Sequence, residues 1–161
     1  MEPLFSIPYY KLSCKNWLVK KARINKFLGQ RYEEDNIKTD RKISKYKNEV
    51  LKILQVEMND IKNMVGKFSV TDMWSVQYHK NDFHQPHTHG SLGYSAILYL
   101  DTDIGTSFIQ PWNDPITNKT VIVTPTIKEG DIIIFPAHIL HFTNPIKKSI
   151  KRTIISWDIK I

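Results

Sequence analysis

Tyr78-His79-Lys80-Asn81-Asp82-Phe83-His84-Gln85-Pro86-His87-Thr88-His89 carries four of the chain's six histidines. The other two, His138 and His141, close a second compact motif, Gly130-Asp131-Ile132-Ile133-Ile134-Phe135-Pro136-Ala137-His138-Ile139-Leu140-His141. Side chains of an extended segment alternate between its two faces, so His87 and His89 point the same way and can chelate one ion. A third imidazole from a distant strand would complete a face of three ligands and leave the remaining coordination positions open.

Outward from that stretch the chain reads as short strands rich in Val, Ile, Thr and aromatics, separated by Gly, Pro, Asn and Asp. The pattern places strands near 68–79, 94–101, 106–111, 119–125, 131–136 and 151–160. Residues 1–13, with Pro3, Pro8 and the pair Tyr9-Tyr10, read as an extended arm or edge strand. Between the arm and the strands, Trp17, Ile24, Phe27 and Leu28 recur at helical spacing and predict a helix from Lys15 to Tyr32. Glu33-Glu34-Asp35-Asn36 breaks the pattern. A second, longer helix is expected from Asp40 to Val65, where Ile43, Tyr46, Val50, Leu54, Met58, Ile61 and Val65 step by three or four and Gly66 supplies the stop. Core packing is the commonest use of such a stripe, so both helices are expected to brace a sheet. The fold class is α+β and mainly β.

With 161 residues the chain is expected to form a single domain, 1–161, with an arm and supporting helices over 1–66 and a β core over 67–161. The single cysteine, Cys14, precludes an intrachain disulfide and is expected to be a buried small hydrophobe. There is neither a basic, apolar leader nor an apolar run of the ~20 residues that span a bilayer, so the expected location is the cytoplasm. Residues 1–66 hold 14 Lys/Arg against 8 Asp/Glu, which concentrates the net charge of +7 there. A basic face of this kind could attract nucleic acid. No helix-turn-helix, zinc-finger spacing or RNA-binding aromatic signature accompanies it, and a solvated face is the favoured reading.

From Met73 to Trp157 the sequence resembles the iron(II)- and 2-oxoglutarate-dependent oxygenases, in their prolyl-hydroxylase-like branch. It looks closest to a small phage and bacterial group with His-x-His where most relatives have His-x-Asp. The resemblance is carried by Trp74-Ser75-Val76-Gln77-Tyr78, Pro86-His87-Thr88-His89, Ile97-Leu98-Tyr99-Leu100, a degraded glycine turn at Gly105-Thr106-Ser107-Phe108, and Pro125 through Pro136 to His141, with Arg152 eleven positions later. It implies a double-stranded β-helix of the jelly-roll or cupin-like kind braced by the two helices, and a phage-encoded protein would act in the host cytoplasm.

The resemblance also implies iron bound by His87, His89 and His141, with Arg152 as the clamp for the far carboxylate of 2-oxoglutarate and Tyr99 and Tyr78 as its hydroxyl partners. The guanidinium fork suits a carboxylate because it offers two parallel charge-assisted hydrogen bonds. Fe(II), 2-oxoglutarate and O2 would be the reactants, with hydroxylation of a substrate and release of succinate and CO2. The branch favours a peptide or protein substrate, and Trp112, Asn113 and Asp114 are expected to border its pocket. His138 competes with His141 for the distal position, His79 and His84 receive no role, and Asp82 reads as a turn residue. Phe135 and Trp157 are read as pocket wall and core. Replacing a carboxylate ligand by an imidazole leaves the divalent centre at formal charge +2, to be neutralised by the bound diacid. Two other classes fit part of the pattern: a cupin-like three-histidine enzyme without 2-oxoglutarate, and a non-catalytic β-helix binding module.

Overall fold

Residues 6–28, 32–34, 37–40, 42–147 and 151–161 are described by a computed structural model, with 32–34, 37–40 and 42 as backbone alone. In chain order the elements are β1 (Tyr10–Ser13), α1 (Trp17–Asn25), β2 (Tyr32–Glu34), β3 (Ile37–Asp40), a 3-10 turn over Lys42–Tyr46, α2 (Lys47–Ile53), α3 (Gln55–Val65), β4 (Ser69–Tyr78), β5 (His84–His87), β6 (Tyr94–Tyr99), β7 (Ser107–Ile109), β8 (Ile122–Val123), β9 (Asp131–Pro136), β10 (His141–Thr143) and β11 (Arg152–Lys160). The strands form a large sheet in the order β1-β9-β6-β11-β4-β3-β2 and a small one in the order β5-β10-β7-β8. Every strand pair is antiparallel. This is the mainly β, two-sheet architecture with few helices that the sequence implied.

Strand β11 shows how the sheet divides the molecule. Ile155, Trp157 and Ile159 join the core shared with the helices, through Ile24, Ile43, Val50, Leu54 and Ile61. The alternate residue Ile154 joins a second core with Val76, Tyr78, Ile97, Tyr99, Ile133 and Phe135, which lies between the sheets. A central strand covered on both faces must be apolar on both, so most of β11 is buried. Each such Ile or Leu, taken from water, contributes about 1.5–3 kcal/mol. Trp157, expected partly as pocket wall, is fully buried on the helix side instead.

The helical region departs from expectation in two ways. The first helix ends at Asn25, and Tyr32 opens a strand that pairs with β3, which in turn edges β4. Residues 35 and 36 of the expected break lie outside the described residues. The second helix starts later, after strand β3 and a 3-10 turn, and bends at Leu54 (φ −91°, ψ 19°) into α2 and α3. Hydrogen bonds from Leu54 N–H to Val50 O and from Met58 N–H to Leu54 O carry the ladder past the bend. The apolar stripe therefore runs on unbroken, and its periodicity carries no mark of the kink.

Helix α1 is tied to the sheet by Trp17, whose Nε1–H donates to Glu129 Oε1 at 2.8 Å. Its ring covers Gly130, which has φ +84° and where an added Cβ would meet Trp17 Cγ at 2.7 Å. The turn into β9 thus requires glycine twice, for backbone sign and for space. Cys14 is half-buried against the helix-side core, and burial pushes its thiol up to about 12. Among the described residues no helix is long and apolar enough to cross a membrane.

Candidate metal centre

His141 opens β10, where its Cα pairs with His87 of β5 on one side and Phe108 of β7 on the other. His89 follows β5 and is anchored by its N–H to Ala137 O at 2.9 Å. One ligand atom from each of His87, His89 and His141 lies within 4.8 Å of the others. The rings converge, with centroids 4.3 Å apart for His87 and His141 and 5.0 Å for His89 and His141.

Hydrogen bonds fix which nitrogen of each ring faces the centre. His87 Nδ1 lies 2.8 Å from Gln85 O, and His141 Nδ1 lies 2.9 Å from Ile139 O. His89 Nδ1 lies 3.1 Å from Asp158 Oδ1. A carbonyl or carboxylate can only accept, so each Nδ1 carries a proton and Nε2 is the nitrogen each ring has left to offer a metal. That is the donor set a metal needs from neutral imidazoles, with every ring oriented by an outer acceptor. The three residues fit one divalent ion.

Burial pushes the His141 pKa down to about 3, against the opposing bond to Ile139 O, and the neighbouring imidazoles lower it further. His87 is lowered for the same first reason. Both are therefore uncharged at neutral pH and compete for metal without first losing a proton. The metal-free protein is expected to lose stability on acidification. An unfolded histidine titrates near 6.5, so below that pH the unfolded chain binds protons that the folded one refuses, until about pH 3. At pH 5, His141 alone should cost about 2 kcal/mol, read as a falling urea midpoint between pH 7 and 5. A flat profile would contradict the buried, neutral ring.

A fourth imidazole stands beside the three. The β5–β10 register steps three residues on β5, from His87 to His84, for two on β10, from His141 to Thr143. This bulge overrides strand alternation and turns His84 to the same side as His87, ring centroids 4.0 Å apart. Its Nδ1 lies 3.4 Å from the Tyr78 hydroxyl. Burial, then His87, His89 and Arg152, push its pKa down to about 4. His79 and His138 are exposed and lie outside the group. Asp82 accepts from His79 N–H at 2.7 Å and serves the turn.

Deeper between the sheets sits Arg152, fully buried. Its Nε–H donates to Ile104 O and its Nη2–H to Thr106 Oγ1, both at 3.0 Å. Its guanidinium carbon lies 4.6 Å from the centroid of Tyr78 and 5.7 Å from that of Tyr99. Nη1 has no hydrogen-bond partner. Among the described residues no carboxylate pairs with it. A buried guanidinium with an unused donor is costly unless an anion completes it, which is what a carboxylate ligand would do. Thr106 Oγ1 accepts from both Arg152 and the Tyr99 hydroxyl (3.1 Å), so its own O–H is left to donate elsewhere. Burial raises the pKa of Tyr99 and keeps it a neutral donor.

Thr106, His84 and Asp158 escaped the sequence reading as site residues. Alternation along β11 from Arg152 through Ile154 and Ser156 could have found Asp158. Beside the centre lies a groove lined by Ile7, Tyr9, Trp112, Phe108, Phe135 and Ile139 among others, and none of the described residues lining it is charged. Phe108 and Phe135 line it and also pack on His141, with centroids 6.0 and 4.8 Å from that ring. Trp112 thus borders the groove as expected. Asn113 and Asp114 do not line it, and Asp114 instead holds its own loop by accepting from the N–H groups of Ile116 and Thr117.

A family model described as "Putative 2OG-Fe(II) oxygenase" matches residues 72–158, more than half of the chain. No curated protein matches it. Among solved structures, the chain is similar to HygX from Streptomyces hygroscopicus, solved with nickel and 2-oxoglutarate bound, at 10% identity and a TM-score of 0.69, covering 96% of this chain and 83% of that one. It is similar to the viral collagen prolyl hydroxylase vCPH from Paramecium Bursaria Chlorella virus-1, at 16% identity and a TM-score of 0.61, covering 95% and 96%. A Pseudomonas putida prolyl-4-hydroxylase gives 11% identity and a TM-score of 0.57, covering 96% and 93%. At such identities the likeness shows a shared fold, the double-stranded β-helix of these enzymes.

Proposed function

The chain belongs to the 2OG-Fe(II) oxygenases, and from that premise we propose that it hydroxylates a peptide or protein segment with iron held by His87, His89 and His141. The observation that carries the assignment of the diacid is the unpartnered Nη1 of fully buried Arg152. A three-histidine enzyme without 2-oxoglutarate would have no use for that donor.

When bound, iron, 2-oxoglutarate and O2 supply the oxidation, with succinate and CO2 leaving as products. The chain's own residues do the positioning. The Nε2 atoms of His87, His89 and His141 would hold the ion. Arg152 Nη1–H and Thr106 Oγ1–H would grip the far carboxylate of the diacid, beside the rings of Tyr78 and Tyr99. Val76, Ile97, Ile133 and Ile154 belong to the same apolar core and exclude water from around the guanidinium. His84 stands between that core and the ligands, beside Tyr78 and His87.

The groove favours a peptide over a nucleotide or sugar phosphate, which would find no cation among the described residues that line it. Tyr9 and Trp112 offer flat apolar faces to extended chain, and such rings dominate contact energetics.

Anaerobic addition of Fe(II) and 2-oxoglutarate should give a weak visible charge-transfer band, and aerobic incubation should release succinate that a substrate peptide accelerates. Absence of the band with both ligands present would overturn the proposal. Thr106→Val should weaken 2-oxoglutarate by about 10- to 100-fold, the worth of one hydrogen bond to a charged group. Titration of the same band against 2-oxoglutarate measures it.

A further inference from the structure

A divalent ion among three neutral imidazoles, with the Arg152 guanidinium buried nearby, makes a centre rich in positive charge and without an anionic ligand. Resting on the reading of His87, His89 and His141 as ligands, we propose that Asp158 is a positioning residue that lends this centre negative charge through His89.

Three features of the chain support it. Asp158 Oδ1 accepts from His89 Nδ1–H at 3.1 Å, whereas the other two rings donate to backbone carbonyls. A hydrogen bond to a carboxylate is the stronger kind, and it raises the electron-donating power of the opposite nitrogen. The carboxylate is itself held: Ser95 Oγ–H donates to the same oxygen at 2.9 Å, from the residue directly across on β6. Against β6 the strand runs in unbroken register through Asp158, and the slip against β4 puts its extra residue on β4, so alternation alone aims Asp158 to the side that Arg152 faces.

The His89 ring shows why that acceptor matters. It stacks on Trp74 (5.2 Å, 14°) and on His141 (5.0 Å, 17°). Stacking fixes the plane of the ring but not which edge faces the centre. A half-turn about the Cβ–Cγ bond keeps that plane but would exchange Nδ1 for a carbon and withdraw Nε2 from the ion. The Asp158 bond selects the competent orientation as it supplies the charge.

Ni(II) titrated calorimetrically into the full chain tests the idea without turnover. Asp158→Asn keeps shape and an acceptor oxygen but removes the charge, and should weaken Ni(II) by about 10- to 100-fold. Unchanged affinity overturns the proposal. His89→Asp gives the decisive second background. There a carboxylate ligand would face Asp158 and be repelled, so the pair His89→Asp with Asp158→Asn should bind Ni(II) more tightly than His89→Asp alone. If Asp158→Asn weakens binding in both backgrounds, Asp158 serves the fold only and the proposal fails. Thermal midpoints of the metal-free variants confirm folding. Should Asp158→Asn not fold, Ser95→Ala should cost a few-fold in Ni(II) affinity, and no loss there counts against the charge role. Ni(II) binding absent in wild type, or retained in full by His141→Ala, would sink the ligand reading itself.

Discussion

His141→Ala is expected to abolish specific metal binding and with it all succinate release. His141 is the most buried member of the cluster, 3% exposed, and reaches it from a strand fifty residues beyond the other two. Its place is overdetermined by pairing to β5 and β7, by Nδ1–H on Ile139 O, and by the edge of Phe135. Among the described residues the other imidazole close by is His84, which stands beside His87 but is not in the group whose ligand atoms lie within 4.8 Å of one another. Loss of an outer acceptor costs about 10- to 100-fold in metal affinity, and loss of a direct ligand must cost more. The readout is thermal. At a metal concentration 100 times its dissociation constant the wild-type fold gains about 2.7 kcal/mol, a gain the variant should lack. His138→Ala is the control, since that exposed side chain lies outside the cluster. If His138→Ala removed the metal-induced gain and His141→Ala kept it, the distal ligand would have been assigned to the wrong residue.

Arg152→Met should abolish 2-oxoglutarate binding while leaving metal affinity and metal-free stability close to wild type. The two halves of that prediction have one cause. In the free protein Arg152 is a fully buried cation with an unused donor, held by Ile104 O and Thr106 Oγ1 as acceptors. Replacing an incompletely paired buried charge by an apolar side chain of similar length is often neutral or stabilising. Against the bound diacid the balance reverses. Removing one partner of a buried, hydrogen-bonded charge pair costs about 2–5 kcal/mol, or roughly 30-fold to several thousandfold in affinity. Unfolding midpoints with and without 2-oxoglutarate separate the effects. Arg152→Lys should fall between, because an ammonium keeps the charge but loses the fork. Wild-type affinity for 2-oxoglutarate in Arg152→Met would overturn the clamp.

Much of this arrangement was legible because its signals are local or periodic. His87-Thr88-His89 announces a shared direction by its spacing, and Gly130 through Pro136 announces a buried strand by its apolar run. The strands over 69–78, 94–99, 131–136 and 152–160 fall where β-branched and aromatic composition between turn residues put them. What stayed hidden depends on a change of phase that no periodicity records. The bulge over Gln85 and Pro86 turns His84 inward. The bend at Leu54 lies on an unbroken stripe, and the charged β2 and β3 join the sheet with few apolar residues to mark them. Trp157 looked like pocket wall because its strand is apolar on both faces. Only the parity of β11, counted from Arg152, assigns it to the helix side. Thr106 was hidden for another reason: its role comes from two acceptor positions already filled by partners distant in sequence.

Strand β11 also acts as a ruler. Paired on both edges along most of its length, to β4 and β6, it cannot stretch, and its alternation sets Arg152 and Asp158 on one face. The imidazoles stand across from it, on β5, just after β5 and on β10 of the small sheet. The gap between guanidinium and imidazoles is thus set by how the two sheets face one another rather than by side-chain adjustment. Selectivity for the length of a diacid is, on this view, a property of sheet packing.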